Sequence, residues 1–262
     1  MVILHLHRIV AMRVSVITIL ITASLMLTSS LVSAEFSVSP VRLYVAAGDR
    51  HGNIIARNLS DQRLRLAFSA RRWLQDDSGR DQFHEDEQLM IFPQEVSIAA
   101  GDAQVIRVGL SELVTDQERA FQLVITEVPT DQESHRRAAE EHKEKILSVA
   151  VPVFFQVSDK HAADMQIESV QVVDARVSFL LANPRQRHLH FKTYTIALLS
   201  PEGAVVDQTT GDGWYVHAGG RKAFDVPLAA PHCRRAAFLQ ATILLDDDQS
   251  VSEQITVEPS DC

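Results

Sequence analysis

The chain has 262 residues, of which 23% are charged, and a formal net charge of −9. Nucleic-acid binding needs a basic surface, so this charge argues against it. The sequence contains no G-x-S-x-G, G-x-x-x-x-G-K-[ST] or G-x-G-x-x-G motif, which argues against the hydrolases and nucleotide-binding enzymes that use them. A chain of this length suits two domains of about 100 residues behind a short leader.

The first 34 residues have the features of a targeting signal. Arg8 and Arg13 give a positive start, Val14–Leu27 is apolar, and Val32-Ser33-Ala34 is a small-x-small cleavage pattern. We expect cleavage after Ala34, which leaves 228 exported residues with a net charge of −11 and no stable membrane anchor. An uncleaved anchor is the alternative, although the apolar run is shorter than the roughly 20 residues that a span needs.

The mature chain alternates short apolar or β-branched segments with turn signals, which predicts strands throughout. In Arg63–Ala70 the apolar residues alternate strictly with charged or small ones, as in a half-buried strand. The polar segments Asp76–Asp86 and Thr130–Lys145 are predicted to be loops. The seven strands predicted in the first half are Phe36–Ala46, Asn53–Asn58, Arg63–Ala70, Gln88–Phe92, Gln104–Leu110, Ala120–Val128 and Ile146–Phe155.

The same pattern begins again after Ser158–Asp164, a polar connector. Seven strands are again predicted, and seven is the number in an immunoglobulin-like sandwich. We therefore predict an all-β chain with a signal peptide at residues 1–34 and two immunoglobulin-like domains at residues 35–158 and 159–262. The second set of strands is Gln166–Val173, Ala175–Ala182, His188–Leu199, Gly203–Thr210, Trp214–Val226, Ala236–Leu245 and Ser250–Val257.

The chain has two cysteines, Cys233 and Cys262. An even pair in an exported chain predicts a disulfide bond, and two free thiols are the alternative. The spacing fits neither a redox motif nor a zinc site.

Two groups of residues contain side chains that can bind metal ions. His188 and His190 would lie on one face of a strand and, with His217 or His232, could bind an ion. Asp246-Asp247-Asp248 could bind calcium. Solvated or partly buried histidines and an acidic hairpin tip are the commoner explanations, so we predict no metal, no cofactor and no catalytic site.

Arg42 is a single charge between apolar neighbours, with Pro40-Val41 before it and Leu43-Tyr44-Val45 after it. Such an arginine usually extends its charge to the surface. The alternative is a functional one, in which its planar guanidinium binds a carboxylate or phosphate through two hydrogen bonds.

The segment Ile146–Phe155 reads ILSVAVPVFF and carries no charge. Exposed segments of this kind, with high β-propensity and low charge, are an aggregation hazard. The segment is therefore either the centre of a core or a strand that is offered to another chain.

The chain resembles the periplasmic chaperones of chaperone–usher pilus assembly, the PapD-like family, over nearly all of the mature sequence. Six short matches occur in the order of the family. Among them are a first strand containing Arg42 and a segment similar to the family pattern PG-x-x-Q-x-x-R. The matching segments are Ser39–Arg42, Ser69–Trp73, Ala99–Val108, Glu118–Pro129, Val151–Phe155 and Leu181–Pro184.

The resemblance implies two immunoglobulin-like domains in a boomerang arrangement, a periplasmic location and no catalysis. In this family the chaperone lends the last strand of its first domain to an incomplete pilus subunit, whose C-terminal carboxylate binds basic residues in the cleft between the domains. It then delivers the subunit to an outer-membrane usher. The resemblance therefore implies Arg42 as a carboxylate anchor, with Arg107 as a further contributor. The implied groove-filling residues are Ile146, Leu147, Val149 and Val151.

Pro152 departs from the family pattern. Much of the family has a lysine at this position as the second half of the anchor, and the pattern with proline resembles the archaic, Csu-like branch. The rival hypothesis is a structural or adhesive two-domain protein, in which Ile146–Val153 is an ordinary core strand.

Overall fold

The structure, a computed structural model, describes residues 36–129, 147–158 and 165–262. The predicted signal peptide, the loop Thr130–Lys145, Ile146 and all but the first residue of the connector Ser158–Asp164 lie outside the described residues. Within the described ranges, no helix is long and apolar enough to cross a membrane.

The first half of the described chain consists of strands. They alternate buried and exposed residues, as predicted for Leu64, Leu66 and Phe68, which are all buried. The strands are β1 (Phe36–Ser39), β2 (Leu43–Val45), β3 (His51–Asn58), β4 (Leu64–Gln75), β5 (Asp81–Glu85), β6 (Met90–Phe92), β7 (Glu95–Ile98), β8 (Ala103–Gly109), β9 (Arg119–Glu127) and β10 (Ser148–Phe155).

These strands form two sheets that enclose one apolar core. One sheet has the order β1-β3-β8-β6. The other has the order β2-β10-β9-β4-β5, with β7 also paired to β4. We call them the four-stranded sheet and the six-stranded sheet. Residues buried from both sheets include Ile54, Ile106, Leu66, Leu123 and Val153.

The predicted strand Phe36–Ala46 is in fact two strands that belong to different sheets. Pro40 lies in the bend between them, because a proline has no N–H with which to continue a ladder. β1 therefore pairs with β3, whereas β2 crosses to pair with β10.

The predicted loop Asp76–Asp86 was also wrong, since it contains strand β5. Asp76 accepts hydrogen bonds from the backbone N–H groups of Ser78 and Arg80, and Gly79 has a φ of 75°. This tight turn returns the chain along the end of β4, which extends to Gln75 rather than ending at Ala70.

The second half of the described chain forms a second pair of sheets, with the orders β11-β12-β16 and β14-β13-β17-β18, and with β15 also paired to β13. Trp214–Val226 contains two strands around a turn, and a short helix, α1, was not predicted. The elements are β11 (Gln166–Val173), β12 (Arg176–Ala182), β13 (Leu189–Leu199), β14 (Val205–Asp212), β15 (Tyr215–Val216), β16 (Arg221–Pro227), α1 (Ala230–Cys233), β17 (Phe238–Leu245) and β18 (Ser250–Thr256).

Cys233, at the end of α1, forms a disulfide bond with Cys262, with 5.7 Å between their Cα atoms. The bond holds the end of the chain against a second apolar core, to which both residues contribute. The described chain is thus all-β apart from short helical turns, with two immunoglobulin-like sandwiches.

Candidate functional site

Strand β10 is covered along only part of its length. β9 pairs with it from Ser148 to Phe155, but β2 pairs with it only from Val153 to Phe155. Among the described residues, no strand pairs with the other side of Ser148–Pro152. We call Ser148–Pro152 the open edge and Val153–Phe155 the covered half.

The backbone groups of the open edge alternate in direction. Leu147 accepts a hydrogen bond from the N–H of Glu127 at 3.0 Å, so Leu147 and Glu127 form a hydrogen-bonded pair of the antiparallel ladder. In such a ladder every second pair is hydrogen-bonded, so Val149 and Val151 also direct their backbone groups to β9. Ser148 and Ala150 therefore direct theirs away from β9, towards the vacant side.

Pro152 fits this alternation. It is two residues beyond Ala150, so its nitrogen faces the vacant side and no ladder bond to β9 is lost. The open edge thus offers the N–H groups and the carbonyls of Ser148 and Ala150.

The side chains on the inner face of β10 become more buried along the strand. Leu147 is 36% exposed, Val149 is partly buried against the core, and Val151 is 2% exposed. Val151 therefore fills the core of its own sandwich, whereas Leu147 and Val149 are accessible. Ile146 lies outside the described residues.

Arg42 lies at the end of the open edge. Leu43 pairs in parallel with Val153, so Arg42, one residue earlier, is beside Pro152. Because Leu43 is buried, alternation places Arg42 and Tyr44 on the outer face of the six-stranded sheet. The position where much of the family has a lysine is therefore next to Arg42, and Pro152 supplies no charge there.

Residues from the second sandwich surround Arg42. Its Nη1 lies 3.7 Å from Oδ2 of Asp246, and its guanidinium carbon lies 5.8 Å from the centre of the Tyr215 ring. Burial acts to lower the pKa of Arg42, but a hydrogen bond with Tyr44 and the charge of Asp246 contribute to a net rise, so the guanidinium stays charged.

Beside Arg42, the outer face of the covered half is aromatic. Phe154 is fully buried, and its ring centre lies 3.7 Å from that of His188, 5.6 Å from that of Tyr44 and 5.5 Å from that of Tyr215. Trp73 is 1% exposed and lies 5.9 Å from Phe154. This cluster joins the two sandwiches beside Arg42.

Hydrogen bonds fix the two sandwiches relative to each other. Trp73 and Trp214 donate their indole N–H groups to the two carboxylate oxygens of Asp81, at 2.9 and 2.7 Å. Gln75 donates to the carbonyl of Tyr215 at 2.9 Å and accepts from the N–H of His217 at 2.8 Å. The two tryptophans therefore lie at the contact between the sandwiches.

Each candidate metal-binding histidine has a different neighbour. Nδ1 of His188 lies 2.6 Å from the buried Glu118, that of His190 lies 2.8 Å from Asp246, and that of His232 lies 2.9 Å from Asp207. His217 packs edge-on against Trp73. The described ranges contain no group of three or more residues that could hold a metal ion.

Burial shifts two pKa values at the contact between the sandwiches. It lowers the pKa of His217 to about 4, because the charged imidazolium would lose its hydration. It raises the pKa of Tyr215 to about 12, so both side chains are neutral near pH 7.

The structure does not bring Arg107 to Arg42. Arg107 is exposed on β8, between the buried Ile106 and Val108, and therefore lies on the outer face of the four-stranded sheet. Arg42 lies on the outer face of the opposite sheet. The two arginines cannot hold one carboxylate together, because the core of the sandwich lies between them.

The partners that the second sandwich supplies to Arg42 could not be predicted from the sequence. Tyr215 belongs to β15, and Asp246 begins the turn Asp246–Asp248 between β17 and β18. The acidic triplet was expected to be a hairpin tip, and it is one. No local signal could have linked it to Arg42, because the two are far apart in the sequence and meet only through the packing of two sandwiches.

These features lie together along one side of β10. Unpaired backbone groups offer a ladder, accessible apolar side chains lie on the inner face, and a cation lies at one end. An open sheet edge of this kind can accept an additional strand.

Residues 35–158 match the model of the family described as "Pili and flagellar-assembly chaperone, PapD N-terminal domain". This part of the chain belongs to that family, and the resemblance to pilus-assembly chaperones is confirmed. The family that this part of the chain matches consists of pilus-assembly chaperones and not of enzymes.

Solved structures of similar fold are also chaperones. One is from the CsuC-CsuE chaperone-tip adhesion subunit pre-assembly complex of Acinetobacter baumannii, with a TM-score of 0.59, 15% identity and coverage of 85% of this chain and 99% of that chain. The CupB2 chaperone of Pseudomonas aeruginosa has a TM-score of 0.52, 18% identity and coverage of 84% and 100%.

The YadV chaperone has a TM-score of 0.56 and 12% identity, with coverage of 86% of this chain and 100% of that chain. Likenesses at these identities establish the fold. No curated protein matches the chain.

Proposed function

We propose that this protein is a periplasmic chaperone that binds pilus subunits by lending them strand β10 and then delivers them to an outer-membrane usher. The observation that carries the proposal is the open edge, Ser148–Pro152, with Arg42 at its end. The family match and the chaperone–subunit complex among the similar folds support it.

The position of Arg42 sets the direction of the incoming strand. β2 begins to pair at Val153, so a strand on the open edge must end there. A chain whose C-terminal carboxylate reaches Arg42 would therefore run towards Pro152, in the same direction as β10. Such a strand would use the backbone groups of Ser148 and Ala150 that face the vacant side.

Leu147 and Val149 are the residues best placed to fill a groove in the subunit. They are the accessible members of the inner face, and a subunit that lacks a strand would cover them. Val151 would remain in the core of the chaperone. Arg107 has no part in this proposal, because it lies on the opposite face of the sandwich.

Co-expression with a pilus subunit from the same organism, followed by affinity purification of the chaperone, tests the edge. We expect Leu147→Asp to reduce recovery of soluble subunit at least tenfold, because the substituted carboxylate would enter the apolar groove of the subunit. Leu113→Asp is the matched control, since Leu113 is 47% exposed and lies away from β10. Equal recovery with both variants would contradict the proposed strand addition.

The same assay tests the anchor. Arg42→Ala should reduce subunit recovery, whereas Arg107→Ala, which removes an equal charge from the opposite face, should not. If the two variants behave alike, the assignment of the anchor to Arg42 is wrong. Delivery is tested by adding usher-containing outer membranes to the purified complex. Retention of the complex, but not of the free chaperone, is the expected result.

A further inference from the structure

In this structure Arg42 already faces a carboxylate of its own chain. Asp246 Oδ2 lies 3.7 Å from Arg42 Nη1, and Asp246 Oδ1 lies 2.8 Å from Nδ1 of His190. The three groups come from three separate elements, namely the bend before β2, strand β13 and the turn after β17. The Asp246 side chain is 49% exposed, so water and a ligand can reach it.

The net charge of these three groups depends on the imidazole. With a neutral imidazole, Asp246 cancels Arg42 and the cluster has no net charge. With a protonated imidazole, the cluster carries one positive charge and can bind an external carboxylate while Asp246 stays ionised. Imidazole groups commonly change charge between about pH 5 and 8.

We propose that His190 is the second cation of the carboxylate site at Arg42 and that Asp246 occupies the site until a ligand carboxylate displaces it. The ligand is the C-terminal carboxylate of an extended peptide chain. The proposal rests on the proposed function, in which Arg42 is the anchor, and adds two residues of the second sandwich to it. His190 thus takes the place of a cation that Pro152 cannot supply.

The other titratable groups around His190 do not replace it. Tyr215, whose ring centre lies 4.6 Å from that of His190, stays neutral because its pKa is raised to about 12 by burial. Lys192 is engaged with Asp248 at 2.6 Å, and His188 is buried with Glu118. The groups that face the cluster from all of its elements are Arg42, Tyr44, His188, Tyr215, Asp246 and the Lys192–Asp248 pair.

N-acetylvaline, titrated into the full protein and followed by NMR at the side-chain N–H of Arg42, tests the proposal, with N-acetylvaline amide as the uncharged control. We expect the carboxylate to bind severalfold more tightly at about pH 5.5 than at pH 8. His190→Gln should remove this pH dependence, whereas His232→Gln, which changes a histidine paired with Asp207 in the same sandwich, should retain it.

Asp246→Asn should strengthen binding at pH 8 by about two- to fivefold, since a half-exposed ion pair contributes up to about 1 kcal/mol. Asp248→Asn is the matched control, because it removes an equal charge from the same turn but from the pair with Lys192. Equal effects of the two variants, or persistent pH dependence in His190→Gln, would overturn the proposal.

Different results would contradict the Arg42 anchor and the roles of His190 and Asp246. If Arg42→Ala abolishes subunit recovery but the His190 and Asp246 variants bind the probe like the unmodified protein, only this inference is wrong. If Arg42→Ala leaves subunit recovery intact, the anchor itself is wrong.

Discussion

The two halves of strand β10 differ in what surrounds them. Val153–Phe155 is paired on both sides and is buried, with Phe154 packed among Tyr44, Trp73 and His188. Within the part of the chain that the structure describes, Ser148–Pro152 is paired on one side only, and its exposure increases towards Leu147. One continuous strand thus holds the sandwiches together at one end and, among the described residues, has an unpaired backbone side at the other.

The difference shows how an uncharged segment of this kind can be tolerated. The most apolar residues, Val153, Phe154 and Phe155, are shielded by β2 and by the second sandwich. The exposed part is short, includes a small residue, Ala150, and ends at a proline, and such features limit unwanted pairing at sheet edges.

The largest expected effect of a substitution is in the covered half. Phe154→Ala should lower the free energy of unfolding by about 3–5 kcal/mol, because it removes a fully buried ring. Urea unfolding followed by tryptophan fluorescence measures it. Phe92→Ala is the control, since Phe92 is 77% exposed, and should change stability by no more than about 0.5 kcal/mol. A similar loss of stability in both variants would mean that the covered half does not stabilise the fold more than an exposed position does.

Acid should weaken the interface that supports the covered half. Burial lowers the pKa of His217 to about 4, below that of an unfolded chain, so the unfolded state binds the additional proton between about pH 6.5 and pH 4. Stability is therefore greatest above this window and falls as the pH falls through it, by up to roughly 3 kcal/mol.

Urea unfolding at several pH values checks this contribution. His217→Phe keeps an aromatic ring beside Trp73 but cannot titrate, and its stability should depend less on pH in this window. An unchanged slope in the variant would show that another group is responsible.

Two adjacent proline substitutions should separate the two sides of the open edge. Val149→Pro removes an N–H that bonds to β9, whereas Ala150→Pro removes one that faces the vacant side. We expect Val149→Pro to cost about 1–3 kcal/mol more, because it leaves a ladder carbonyl of β9 without its donor. Equal costs, measured by thermal or urea unfolding, would mean that the assigned alternation is wrong.

The smallest expected effect is at the accessible end of the edge. Leu147→Ala should change the free energy of unfolding by less than about 1 kcal/mol, because the side chain is already 36% exposed. The same variant should recover less pilus subunit on co-expression. A large loss of stability would mean that Leu147 belongs to the core of the chaperone.

The sequence predicted the all-β, two-sandwich fold because apolar alternation marks most strands, as in Leu64, Leu66 and Phe68. β5 escaped prediction because all five of its residues are polar or exposed, so no alternation marks it. Prediction also failed at Phe36–Ala46, where a continuous β-branched pattern hides the crossing between sheets at Pro40. The domain boundaries fall at the edges of the described residues and stay predictions.

The candidate site was only partly predictable. Arg42 and the uncharged strand stood out by composition and by resemblance, and their roles stay predictions. The contact of Arg42 with Asp246 depends on how the two sandwiches pack. The contact of His190 with Asp246 joins residues that are 56 positions apart in the sequence. The burial of Val151 likewise depends on how the two sheets of the first sandwich pack, which no local pattern specifies.

Amide hydrogen exchange along β10, resolved by residue with NMR, tests the central claim most directly. In the free protein the N–H groups of Ser148 and Ala150 should exchange quickly, and those of Val149 and Val151 should exchange slowly, because only the latter bond to β9. In the complex with a pilus subunit, Ser148 and Ala150 should become protected as well. If both still exchange quickly in a complex that has formed, the subunit does not pair with the open edge and the account is wrong.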